Sequence, residues 1–142
     1  MQKIGEIYQD YLNKTYKDRV KQGKEEIATV REGITNITKQ FTNEELNYLI
    51  IMVCKNFIGA DGSFSNNEFD FLKDTFGLSI SYNELLANLN NLPISLKLQP
   101  KDFICSLDEQ IKFALLRYGI LLCVADGKLT VDEQTEIEKF IN

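Results

Sequence analysis

Five positions along the chain fit a helix-opening Ser or Thr with a Glu three residues later: Thr42–Glu45, Ser65–Glu68, Ser81–Glu84, Ser106–Glu109 and Thr130–Glu133. At a helix start this pair forms a capping box. The hydroxyl accepts a bond from an amide of the first turn, and the carboxylate accepts one from the cap residue's own amide. Every helix begins with free N–H groups, so a chain that repeats this pair is specifying helix starts. In three of the five an apolar residue before the cap faces another one turn into the helix: Phe41 with Leu46, Phe64 with Phe69, and Ile80 with Leu85. The expectation is an all-α fold, a single-domain helical bundle.

Stop signals agree with the starts. Gly77 follows Phe76 where a left-handed residue would end a helix, and Pro93 halts the helix that begins at Tyr82. Leu92 to Pro100 holds both prolines and has no second strand to pair with, so it reads as a linker. Toward the N-terminus, Ile4, Ile7, Tyr8, Tyr11, Leu12 and Tyr16 recur at spacings of three and four. That stripe predicts a first helix ending near Gly23. Ile27, Val30, Ile34 and Ile37 continue the period more sparsely and predict a second, with Gly33 weakening it by about 1 kcal/mol.

With 142 residues the chain fits one domain, residues 1–142, in which 1–40 supply N-terminal helices and 41–142 the main body. No apolar run is long enough to span a bilayer, so no transmembrane segment is expected. The first residues show neither a signal core nor a transit pattern, and the expected compartment is the cytoplasm. Cys54, Cys105 and Cys123 are an odd set among apolar neighbours and read as buried free thiols. Histidine is absent. That removes Ser-His and Cys-His nucleophile pairs and His-ligated zinc, and leaves oxygen ligands suited to hard ions.

The net charge of -5 is unevenly spread. Residues 1–40 hold eight basic and six acidic side chains; the rest holds eight and fifteen. An acidic body repels a phosphate backbone, so no nucleic acid partner is expected. The basic cluster Lys14, Lys17, Arg19, Lys21 and Lys24 is either a solvated helix face or a contact for an anionic partner.

Residues 44–76 and 109–141 align at an offset of 65 with five identities: Glu44 with Glu109, Ala60-Asp61-Gly62 with Ala125-Asp126-Gly127, and Glu68 with Glu133. This reads as an internal pseudo-twofold repeat of helix-corner-helix units. Two accounts of the corner stand side by side. In one, Gly supplies a positive φ, Asp bonds the turn amides, and Ser or Thr with Glu caps the next helix. In the other, Asp61, Glu68, Asp126 and Glu133 converge across the repeat and share a divalent cation, calcium or magnesium. A standard calcium-binding helix-loop-helix is not expected, because Phe57, Gly59, Leu122 and Val124 stand where its loop needs Asp or Asn.

The paired Ala-Asp-Gly-x-apolar-Ser/Thr-x-x-Glu corners, Ala60 to Glu68 and Ala125 to Glu133, resemble the tellurite-resistance TerB-like family, which includes the N-terminal domain of the DjlA co-chaperones. The resemblance runs from about Phe41 to Asn142 and covers the first forty residues only loosely. It implies an all-helical fold with internal pseudo-symmetry, an association with stress responses and membrane-linked complexes, and acidic corner residues suspected of holding a divalent cation. It implies no established reaction. The first corner departs from the second, since Phe69 and Phe71 sit where Gln134 and Glu136 lie.

The leading expectation is therefore a non-enzymatic binding or scaffold module whose partner is another protein. Two alternatives stay open. One is a metal-dependent enzyme that uses the clustered carboxylates to activate water. The other is a regulatory subunit that docks through its aromatic N-terminal helix, where Tyr8, Tyr11 and Tyr16 serve either that docking or the core.

Overall fold

The computed structural model describes residues 4–37, 41–55, 64–92, 106–127 and 129–141. Among these residues all regular structure is helical, in seven segments. They are α1 (Ile4–Leu12), α2 (Tyr16–Ile37), α3 (Asn43–Lys55), α4 (Asn66–Phe76), α5 (Tyr82–Asn90), α6 (Glu109–Ala125) and α7 (Val131–Ile141).

The caps explain where most of these helices begin. Thr42, Ser65, Ser81 and Thr130 each accept from the amide of the Glu three residues on, at 3.1 to 3.2 Å, and each donates its own N–H to that Glu's carboxylate. The fifth box does not form as expected. Helix α6 takes Asp108, not Ser106, as its N-cap, and the Asp108 side chain makes no cap bond. Leu107, buried just before the cap, fixes the entry of the chain at that point. Gly77 ends α4 at φ 70°, as the stop signal predicted, and the Leu78 amide reaches back to Lys73 O at 3.0 Å.

The N-terminal helices divide differently from expectation. The stripe from Ile4 to Tyr16 is broken after Leu12, where Arg19 donates to Lys14 O at 3.0 Å and to Tyr11 O at 3.5 Å. Thr15 Oγ1 accepts from the Asp18 amide at 3.2 Å and opens α2. Gly23, expected as a stop, lies buried inside α2. A Cβ there would stand 2.7 Å from Thr75 Cγ2 and 3.2 Å from Phe71, so glycine lets α4 approach α2. The linker reading of Leu92 to Pro100 lies outside the described residues from Pro93 onward.

Helix α6 is apolar nearly all round, and such a helix must be covered on every side. Accordingly α2, α1, α4 and α3 all pack against it, and α2 also packs on α4 and α3. Fully buried Tyr118, Leu115, Leu121 and Cys123 run along its length. One continuous apolar cluster draws on all seven helices, from Ile4 in α1 to Ile137 in α7. Where α2 crosses α6, Arg117 donates two bonds to the carboxylate of Glu26, a partly buried pair. No described helix is long and apolar enough to cross a membrane.

Candidate functional site

The capping boxes of α4 and α7 bring two carboxylates inside the protein. Glu68 is only 3% exposed and Glu133 5%. A buried carboxylate needs partners, and each Glu finds its first at its own helix start. Ser65 N–H donates to Glu68 Oε1 at 2.8 Å, and Thr130 N–H donates to Glu133 Oε1 at 2.9 Å. The second oxygen of Glu133 accepts from the thiol of Cys123 at 3.7 Å, within reach for the large sulfur atom.

The two glutamates come from separate corners, yet the charge of Glu133 is felt at Glu68. Burial pushes the Glu68 carboxyl above its ordinary value, the Ser65 bonds oppose that rise, and the charges of Asp126 and Glu133 add to it. Burial likewise pushes the Cys123 thiol up, with Glu133 and Glu68 contributing, so the group beside Glu133 stays an S–H donor. Tyr8, carried by α1, borders the same place. Its phenol is raised by burial first and then by Cys123, Glu133 and Asp126. Of the four acidic residues expected to meet, Asp126 and Glu133 thus act on Glu68 through their charge.

Asp61, with the rest of the first Asp-Gly corner, lies outside the described residues. At the second corner Gly127 takes φ 82°, as the turn requires. The turn is closed by main-chain bonds, Gly127 N–H to Val124 O at 2.8 Å and Asp126 N–H to Leu122 O at 3.4 Å. Asp126 is half-buried, and Lys128, the next turn residue after Gly127, lies outside the described residues.

Cation fit is mixed on this geometry. Both glutamates commit one oxygen to a cap, and among the described residues no three acidic or thiol groups are already arranged to hold a metal ion. The carboxylate oxygens of Asp126 and Glu68 are hard donors of the kind calcium, magnesium or manganese takes.

Sequence reasoning missed Tyr8 and Cys123 as neighbours of this place. Both read as ordinary core positions, and only the packing of α1 on α6 sets Tyr8 beside the corner. Cys54 and Cys123 are free and buried, as expected, while Cys105 lies outside the described residues. No family model, curated protein or solved structure matches the chain.

Proposed function

We propose that the chain is a non-enzymatic helical binding module of TerB-like kind, in which two repeated acidic corners meet and weakly take up one hard divalent cation. The observation that carries this reading is the buried pair Glu68 and Glu133, which arrives from two separate helix starts with Asp126 alongside. Like charges brought together out of water repel unless some are protonated, paired or neutralised by a cation. Asp126 and Asp61 would complete the ligand set. The expected partner of the module is another protein, and the expected compartment is the cytoplasm.

The duplication reading has support in the helices themselves. α4 and α7 have the same length and begin and end at the same offset of 65 that separates the motifs. Each follows a filled capping box whose Glu is buried. We take α3–α4 and α6–α7 as two copies of one unit facing each other about a pseudo-twofold axis.

A second reading is favoured by the cap bonds: Glu68 and Glu133 serve only to start α4 and α7, and nothing binds. Thermal melting separates the two. With a dissociation constant on the order of 0.1 mM and about 1 mM free calcium, magnesium or manganese, binding to the folded state adds about 1.4 kcal/mol. A domain of this size then melts roughly 3 to 6 °C higher than in chelator. Asp126→Asn should lose most of that shift. If wild type and Asp126→Asn melt alike in cation and in chelator, the carboxylates are caps alone.

A further inference from the structure

The N-terminal half of α2 is the part of the molecule whose charge the acidic end does not explain. Lys17, Lys21 and Lys24 recur at spacings of four and three and so lie along one face of the helix. All three are exposed, and among the described residues none has a carboxylate within ion-pair distance. Three unpaired ammonium groups in a row repel each other, in a chain whose net charge is -5. Nearby Lys14 is different, since its ammonium donates to Gln22 at 2.9 Å.

These lysines border an open groove of about 670 Å³, completed by Tyr16, Asp18, Val20 and Asp74. Tyr16 is 43% exposed, its ring meets Phe71 edge-on at 6.2 Å, and its hydroxyl donates to Asp74 at the end of α4. That bond occupies one of the two carboxylates in the groove wall. What remains is a floor of Val20, the Tyr16 ring and lysine stems, beneath a row of free positive charge. Lysine stems cover apolar side chains while their heads stay in water.

We propose that this groove docks an acidic peptide segment of a partner protein, one that carries apolar side chains among its carboxylates. The charge of the row selects the carboxylates, and the floor receives the apolar groups. Concavity favours a protruding segment over a flat bilayer surface. Asp18 and Asp74 in the wall disfavour a continuous phosphate backbone. The proposal is independent of the cation reading, because none of its residues belongs to the acidic corners.

The test is fluorescence anisotropy of the full chain with a short labelled peptide of Glu, Leu and Phe, beside the same peptide with Lys in place of Glu. Saturable binding of the acidic peptide alone is expected, weakened several-fold between about 50 mM and about 0.5 M salt. The triple variant Lys17→Glu, Lys21→Glu, Lys24→Glu should bind at least about tenfold more weakly. Should that variant not fold by circular dichroism, the Lys→Gln triple variant is read in its place, with a smaller loss of the same sign. The proposal is overturned if neither peptide binds, if both bind equally, or if the charge variants bind as wild type does. It is also overturned if the lysine row governs only adsorption to anionic vesicles, or only self-association of the chain in light scattering.

Discussion

Two of the places that bury polar groups resolve the burial in opposite ways. At the centre, Thr75 donates to Phe71 O at 2.7 Å and Tyr118 lies 2.6 Å from the Thr75 hydroxyl. The one Thr75 proton goes to the carbonyl, so the Tyr118 hydroxyl is the donor to Thr75, and every group there is neutral and satisfied. At the acidic end, Glu68 and Glu133 are as deeply buried as Thr75, but they are carboxyl groups, and the charges of Asp126 and Glu133 add to the cost of ionising Glu68. A hydroxyl network closes on itself, whereas a carboxylate pair leaves a demand for something positive or for a proton. The centre is satisfied from within, and the acidic end is the place where the proposed cation would act.

Tyr118→Ala should do the greatest damage to this contrast, since it empties a fully buried site between Phe71 and Phe76 and removes the donor to Thr75. Denaturant unfolding should register a loss of about 3 to 5 kcal/mol. A loss under about 1 kcal/mol would mean that the centre does not hold the bundle together.

Gly23→Ala comes next. A methyl group there must displace Thr75 and Phe71, an overpacking cost of about 1 to 3 kcal/mol, offset by about 1 kcal/mol of helix propensity. A net destabilisation is expected. A variant more stable than wild type would show that α4 does not press on α2 at this glycine.

Tyr118→Phe keeps the ring and deletes only the hydroxyl, leaving Thr75 its bond to Phe71. The expected cost is about 1 kcal/mol, well below that of the alanine variant.

Glu68→Gln should have the smallest effect and, in chelator at neutral pH, the opposite sign. The amide oxygen still accepts from Ser65 N–H, while the buried charge is gone, so the variant should match or exceed wild type by up to about 1 kcal/mol. The pH dependence follows from the raised carboxyl. The folded state holds the Glu68 proton more tightly than the unfolded chain. This contribution to stability is full below the ordinary value of 4.5 and is lost as pH rises through the higher folded value. Glu26, raised chiefly by burial and opposed by Arg117, has the same sign and remains in both proteins. Subtracting the variant's stability curve from wild type isolates Glu68. A difference that grows more favourable to wild type with rising pH would contradict the assignment.

The helix starts were legible because capping is local: hydroxyl, amide and carboxylate lie within four residues, so Thr42, Ser65, Ser81 and Thr130 can be read from a short stretch of sequence that also shows where the apolar period begins. Ser106 misled because Asp108, two residues on, is another residue type that begins helices, and burial of Leu107 decides between them. Gly23 misled for a different reason. A glycine in a helical stripe marks either a stop or a close approach, and only the neighbouring α4 distinguishes these. The true break carried its own local signal in Thr15 and Asp18, hidden because Tyr16 continues the apolar period. At the candidate site, the spacing of the repeat singled out Asp61, Glu68, Asp126 and Glu133, and the structure shows that Glu68 and Glu133 are buried. The thiol of Cys123 and the phenol of Tyr8 were out of reach, since their proximity depends on how α1 lies against α6.

The measurement that bears most directly on the acidic end is a crystal structure of the full chain grown with manganese, whose anomalous scattering locates the ion without assumptions about its ligands. The account predicts a peak at the end of the bundle, coordinated by Asp126 and by at least one of Asp61, Glu68 and Glu133. A well-ordered corner with no peak there, its glutamates bonded only to the Ser65 and Thr130 caps, would contradict it.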